Sequence, residues 1–325
     1  MDEEYIVDVT ETNSFKNEYV YDICMNEAEP WFFANGILVH NSAYISAYPI
    51  IREQVKQGIV EWNADIAIKK YNSMKDEINS TFPDFMQRTF NCPPENGNVI
   101  SCDREIVARR AFFIVKKRYA ALMIDKKGVR YDVDGNAGKL KAMGLDLRRS
   151  DTPVVVQKFL KDVLVHFLSS NDESKVIDEI KDFKKKFDSL PLYEQGTPRR
   201  VNKLTYYSTL INQGKGNRVP GHVRAAINWN TLKSINKDWV STKITDGMKC
   251  IVCPLAANPY EMTSIAYPVD EAHLPDWFTK LPFDHQSMVD SVVDKKIENL
   301  FGKLPNWSRI ESAIKKTTTL DDLFF

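Results

Sequence analysis

The stretch Asn35–Ser42 reads NGILVHNS. A short apolar strand, Ile37-Leu38-Val39, delivers an imidazole, a carboxamide and a hydroxyl in direct succession. That order suits cleavage of the backbone between Asn41 and Ser42. If the Asn41 side-chain nitrogen attacks its own carbonyl carbon, a succinimide closes and the amine of Ser42 is released. His40 stands beside that carbonyl, and an imidazole that titrates near neutrality suits proton donation to the oxyanion or to the leaving nitrogen. Ser42 Oγ would accept an acyl group handed on from elsewhere, once a site orients and deprotonates it. Taken alone, the tripeptide is also what chance places in a loop. The residues in front of it decide.

The run Val20–Ser42, VYDICMNEAEPWFFANGILVHNS, closely resembles the two C-terminal motifs of inteins: a strand with Val-Tyr-Asp, an aromatic pair before Ala-Asn-Gly, and an apolar strand ending in His-Asn. The resemblance implies that His40 and Asn41 are the last intein residues, that Ser42 begins the host protein, and that Asp22 is the acidic residue of the earlier motif. One position departs, because Pro30 stands where many inteins carry a histidine. Forty-one residues precede Ser42, with no N-terminal splice junction among them. A segment that short buries too little core to fold alone. The expectation for 1–41 is therefore the C-terminal fragment of a split intein, a β-rich Hint-type half-domain with short strands at Tyr5–Thr10, Tyr19–Met25 and Ile37–Val39. Nine acidic residues there (Asp2, Glu3, Glu4, Asp8, Glu11, Glu18, Asp22, Glu27 and Glu29) face a single lysine, Lys16, for a net charge of −8. The complementary fragment is expected to be basic, so that opposite charges steer the encounter.

The chain has 325 residues and a formal net charge of zero, enough for two or three domains. The acidic start MDEEYIV has no signal-peptide core, and no run is long enough to span a bilayer. These features suggest a soluble intracellular protein. Five cysteines (Cys24, Cys92, Cys102, Cys250 and Cys253) are too few, and odd in number, for a disulfide framework. Cys250 and Cys253 form a lone CxxC with no second pair at metal spacing.

After Ser42 the run AYISAYPII is apolar and β-prone. A helix is expected from about Glu53 to Ser80, where Ile59, Trp62, Ile66, Tyr71, Met74 and Ile78 recur near helical spacing. Prolines at 83, 93 and 94 predict a loop over 82–97. From Asn98 the pattern turns to strands: NVISC, then AFFIVKKRYAALMI, a DKKG turn at Asp125–Gly128, and VRYDV returning. Between Asp103 and Arg149 thirteen Lys and Arg face six Asp and Glu, a local charge of +7. Basic side chains interleaved with aromatics on strands suit a nucleic-acid backbone, although a solvated charged face has the same composition.

Lys116–Tyr119 (KKRY), Lys139–Pro153 (KLKAMGLDLRRSDTP), Pro220–Asn230 (PGHVRAAINWN) and IVCPLAANPY followed by IAYP occur in that order. Together they resemble the palm-to-thumb half of family B DNA polymerases of the T-even phage type, over most of residues 42–325. The resemblance implies that Lys116, Lys117, Arg118 and Tyr119 lie on the minor groove at the primer end, where acceptors shared by all correct pairs permit a check independent of sequence. It also implies that Gly144, Arg148 and Arg149 approach the duplex backbone, with His222 and Arg224 either touching phosphate or packing and capping. Family members carry Asp-Thr-Asp-Ser in the palm, and Ser42-Ala43-Tyr44 matches its end. The aspartates that hold two Mg²⁺ ions are absent from this chain, so the partner fragment would supply them. Asp132 and Asp134, in YDVDGN, do not replace them, since Met143 stands where an EF-hand needs its glutamate.

A thumb is expected from about Asp151, with Thr152 as N-cap and Pro153 opening a helix whose apolar face is Val156, Phe159, Leu160, Val163, Leu164 and Phe167. A second helix is expected over Ser174–Leu190, while His166, His273 and His285 show no partner pattern. The terminal TLDDLFF resembles the family's clamp-binding tail, with Leu320, Leu323, Phe324 and Phe325 as anchors or, alternatively, folded back on the thumb.

The sequence thus predicts an α+β chain: an intein C-terminal fragment at 1–41, the C-terminal part of a palm (antiparallel sheet with helices) at 42–150, a largely helical thumb at 151–310 and a clamp-binding tail at 311–325. Trans-splicing would join Ser42 to an upstream polymerase fragment, and the product would bind primer-template DNA, dNTPs and a sliding clamp. The implied compartment is the cytoplasm of a phage-infected bacterium. Two other readings stay open, a DNA- and clamp-binding accessory protein with an inactive intein remnant and a polymerase assembled from two chains without a covalent joint.

Overall fold

A computed structural model of the chain describes residues 31–34, 37–40, 46, 48–115, 117–170 and 172–315. Asp22, Asn41, Ser42, Lys116, Leu320, Leu323, Phe324 and Phe325 lie outside the described residues, as do the expected strands before Trp31. The fold is α+β. It divides into two compact units, one of residues 1–107 and 124–131, the other of 108–123 and 132–325.

In the first unit β1 (Trp31–Ala34) pairs antiparallel with β2 (Ile37–His40), Trp31 opposite His40 and Ala34 opposite Ile37. The expected apolar strand is thus present, and His40 ends it. The described end of the β-prone run that follows is instead helical, α1 (Tyr48–Lys56), with Pro49 in the first turn, where its missing N–H is not needed. The single helix expected over 53–80 is broken after Lys56. It restarts as α2 (Ala64–Phe90), capped by Asn63, whose Oδ1 accepts from Ile66 N at 2.9 Å. The loop expected over 82–97 is also corrected, because α2 runs straight through Pro83 and stops only at Asn91, in the left-handed conformation. A 3₁₀ turn (Pro94–Val99) then folds back onto the helix. Gly97 makes that approach possible, since a Cβ there would stand 2.8 Å from Pro83 Cα.

The expected strand NVISC does not form. The Asn79 carboxamide occupies both backbone groups of Cys102 instead, donating to its carbonyl (3.0 Å) and accepting from its N–H (2.8 Å), as a neighbouring strand would. The chain then enters β3 (Ile106–Val115) and returns as β4 (Arg118–Lys126). At the far end of β4 the expected DKKG turn is present, with Lys127 and Gly128 both at positive φ, leading into β5 (Val129–Arg130). Asp125, 1% exposed, anchors that turn: it accepts from Gly128 N at 3.1 Å and pairs with Arg104, which itself donates to Asn72.

In the second unit β6 (Lys139–Met143) runs antiparallel to β4, Tyr119 opposite Met143 and Met123 opposite Lys139. Strand alternation sorts the side chains. Phe112, Ile114, Ala120, Leu122, Leu140 and Ala142 face a core shared with α3 (Val154–Ser170), α4 (Glu173–Asp188), α9 (Lys295–Phe301) and α10 (Trp307–Lys315). The expected apolar face of α3 is buried there, except that Phe167 is only partly so, and Phe159 stacks on Phe183 of α4 with centroids 3.9 Å apart. The expected Thr152 cap is not made. Its Oγ1 is buried without a partner among the described residues, and Gln157 Nε2 instead donates to the carbonyls of Arg149 and Thr152.

A second core gathers β7 (Thr197–Arg200), α5 (Leu204–Asn212), α6 (Gly221–Ile235), β8 (Lys249–Pro254), β9 (Ser264–Pro268), α7 (Asp276–Thr279) and α8 (His285–Met288). Its sheet has the order β7-β8-β9, all antiparallel. Trp229 sits fully buried at its centre and donates Nε1–H to Thr242 O at 2.9 Å. Cys250 and Cys253 are buried in the same core, and Cys253 Sγ–H donates to Tyr193 O. Two histidines read as unpartnered do find carboxylates: His166 of α3 pairs with Glu179 of α4, and His285 with Asp188 at 3.2 Å. Among the described residues no helix is long and apolar enough to cross a membrane.

Candidate nucleic-acid interface

The basic segment becomes a surface through two devices. The first is the sheet alternation. With one set of β3, β4 and β6 side chains on the core, the other set carries Arg109, Phe113, Tyr119, Lys139, Lys141 and Met143. Phe113 and Met143 remain about half exposed, at 50% and 49%. The Tyr119 ring packs on Phe113 with centroids 5.7 Å apart, giving an aromatic step between cations.

The second device is the hairpin tip. Lys117 is exposed and takes a left-handed conformation (φ +64°) to turn β3 into β4. Gly144, just past β6, closes against it. Gly144 is itself at φ +63°, and a Cβ there would lie 2.4 Å from Lys117 O. Arg118 is pinned from two sides, its Nε donating to Gly144 O (3.2 Å) and its Nη2 to Asn299 O (3.3 Å).

Beyond Gly144 an acidic scaffold sits under the basic residues. Asp146, 9% exposed, accepts from Lys296 Nζ (2.9 Å) and Asn299 Nδ2 (3.2 Å). Arg149 Nε lies 3.6 Å from Asp146 Oδ1 and 2.9 Å from Asp151 Oδ1, while its Nη2 donates to Asp151 Oδ2 at 2.9 Å. Arg199, on β7 of the second core, reaches that Oδ2 at 3.0 Å. The Arg149 bonds, helped by the nearby Arg199 charge and opposed by partial burial, hold the Asp151 carboxyl down at about 2. His222 is half-buried, and desolvation and Arg199 lower its pKa, which favours the neutral imidazole. Arg224 is turned inward and donates to Gly216 O at 2.6 Å. Arg148 stays exposed, with no ion pair among the described residues.

Lys117, Arg118 and Gly144 are therefore brought together, and Arg149 joins them through Asp146 and Asn299. Residues that sequence reasoning passed over complete the arrangement: Asp146, Asp151, Arg199, Lys296 and Asn299. The two aspartates stood within the quoted phrase KLKAMGLDLRRSDTP, where acids among bases signal paired cations. Lys296 and Asn299 gave no local signal. Chemically the region offers guanidinium and ammonium donors with their geometry preset by the Asp146 and Asp151 carboxylates, which suits phosphodiester oxygens. Among the described residues no three His, Cys, Asp or Glu side chains gather as a metal site.

No protein-family model matches the chain. It is 25% identical over 296 residues to the DNA-directed DNA polymerase of Enterobacteria phage T4, covering 86% of this chain and 30% of that protein. The chain is similar to part of a DNA polymerase. Its identity to the DNA-directed DNA polymerase of Escherichia phage RB69 is 28% over 264 residues, or 78% of this chain and 28% of the relative. To a DNA polymerase of Thermococcus aggregans it is 29% over 166 residues, 51% of this chain and 7% of the other. The polymerase-like chain thus spans about three tenths of the length of its two phage relatives.

Proposed function

We propose that this chain is the DNA-gripping C-terminal part of a replicative DNA polymerase, made as a split-intein precursor. The observation that carries the DNA-binding part is the convergence of Arg118, Arg149 and Arg199 on one scaffold beside a basic-aromatic sheet face, in a chain similar to DNA polymerases. Lys117, Arg118 and Tyr119 are assigned to the minor groove at the primer end, and Arg148, Arg149 and His222 to the backbone. Arg224 is assigned a packing role.

The precursor reading rests on the sequence Val20–Ser42. Ser42 Oγ attacks the carbonyl that joins an upstream polymerase fragment to its own intein N-terminal fragment; that acyl bond breaks, the intein N-terminal fragment leaves with the proton of Ser42, and the polymerase fragment is held on Ser42 as an ester. Asn41 Nδ2 then attacks its own carbonyl carbon, with Asp22 and His40 assisting, and the peptide bond to Ser42 breaks. The freed amine of Ser42 attacks the ester carbonyl, and an amide replaces the ester. Residues 1–41 leave as a peptide ending in succinimide. The upstream fragment supplies the aspartates for two Mg²⁺ ions, dNTPs bind the joined enzyme, and Leu320, Leu323, Phe324 and Phe325 dock on a sliding clamp.

Intact-mass measurement after mixing the chain with the upstream fragment tests the splicing. The expected products are a joined chain containing Ser42 at the seam and a released 41-residue peptide, neither formed by Asn41→Ala. Unchanged masses with the partner bound would reject splicing. Polymerase activity from the Asn41→Ala mixture would favour assembly without a covalent joint. Duplex binding by the chain alone, measured by fluorescence anisotropy, tests the DNA-gripping part separately.

A further inference from the structure

The second core carries an apolar tip that none of the assigned roles uses. Trp239 is 89% exposed and Val240 95%, and Ile235, at the end of α6, is 58% exposed. An indole left in water at the end of a floppy loop would need no explanation. This loop is held at both feet. The Asp238 carboxylate turns inward and accepts from Val240 N (3.0 Å), Ser241 N (3.0 Å), Ser241 Oγ (2.6 Å) and Trp277 Nε1 (3.0 Å), while Lys233 closes on the Asp238 carbonyl. On the far side Thr242 N donates to Glu271 Oε2 (2.7 Å) and Thr242 O accepts from the buried Trp229. The backbone is fixed so that the ring stands out.

The charges around the tip select its partner. The Asp238 and Glu271 carboxylates that meet the loop are engaged by its own donors. Lys237 and Lys243 stand on either side of Trp239 in the chain, two residues before and four after it, exposed and without a carboxylate partner among the described residues. A rigid aromatic face between two cations complements a ligand with flat rings and regularly spaced negative charge, which describes a nucleic acid with unpaired bases.

We propose that the Trp239–Val240 tip is a stacking platform for single-stranded nucleic acid, the indole lying on a base and Lys237 and Lys243 on the adjoining phosphates. The proposal deepens the DNA-binding reading and rests on it.

The test titrates the full-length chain, Trp239→Ala and Trp239→Phe with a fluorescein-labelled single-stranded oligonucleotide, a blunt duplex of equal length and an acidic peptide, following tryptophan emission and anisotropy. The single strand should quench the wild-type emission by more than it quenches that of Trp239→Phe. Trp239→Ala should bind the single strand about five- to hundred-fold more weakly, in line with the stacking of one base. Its duplex affinity and thermal midpoint should not change. Equal single-strand affinity and quenching in all three proteins would overturn the platform while leaving duplex binding intact. Binding of neither nucleic acid by any of the three would overturn the DNA-binding reading as well. Selective quenching of Trp239 by the acidic peptide, with none by the oligonucleotide, would reassign the tip to a protein partner.

Discussion

The guanidinium of Arg149 grips Asp151 through two parallel bonds, Nε to Oδ1 and Nη2 to Oδ2, each 2.9 Å long. The side-on geometry leaves the rest of the guanidinium for another acceptor. Asp151 also takes Arg199 from the second core, so one carboxylate ties the turn before α3 to β7.

That tie has a pH signature. The Asp151 carboxyl is lowered from 3.8 to about 2, mainly by the Arg149 bonds. A depressed carboxylate stabilises the fold fully above its unfolded value, and the contribution disappears as pH falls through the folded value. Urea unfolding should therefore show stability falling more steeply between pH 4 and pH 2 in the wild type than in Asp151→Asn. At pH 7 the substitution should cost about 1–3 kcal/mol. Parallel pH profiles for the two proteins would reject the assignment.

Gly144→Ala should damage the hairpin tip. An alanine at φ +63° is strained, at about 1–3 kcal/mol, and its methyl would press on Lys117 O. The expected result is a lower thermal midpoint together with weaker duplex binding. A midpoint within error of wild type would show that the tip tolerates the displacement.

Arg199→Gln keeps a polar side chain and removes one cation. On the proposed function it should weaken duplex binding uniformly across sequences and reduce the slope of log affinity against log salt by about 1. An unchanged slope would confine Arg199 to a structural role.

The buried thiols should be silent. Burial pushes Cys250 and Cys253 up to about 12, so at pH 8 both remain protonated as well as covered. Peptide mapping after brief alkylation should find neither labelled in the native chain and both labelled in urea. Native labelling of either one would contradict the packing of the second core.

The legible parts of the fold were those governed by local chemistry. The Lys127-Gly128 turn, the apolar stripe of α3 and the strand β2 followed from residue type and period. The errors came where a distant group overrode the local signal. Pro83 and the prolines after it read as a loop, yet α2 continues and Gly97 lets the following turn lie against it. NVISC has strand composition, but Asn79 took the backbone bonds a strand partner would have made. Thr152 had the identity of a cap, yet its hydroxyl is buried without a partner among the described residues. At the candidate interface the basic residues were visible as a cluster, whereas the acids that orient them were read only as subtractions from the charge. No local pattern announces that Asp146 meets Lys296 and Asn299, because those contacts are made across 150 residues or more.

The bond from Arg118 to the carbonyl of Asn299 joins residues 181 apart. Translation therefore sets a clock on the interface. The hairpin leaves the ribosome before α9, and with local pairing only it can form while the segment between them is still being made. Its orienting contacts arrive only when α9 has emerged, 181 residues later at Asn299. Until then Arg118 lacks Asn299, and Asp146 lacks Lys296 and Asn299, so a nascent chain carries the cations of this face without the full arrangement that aims them.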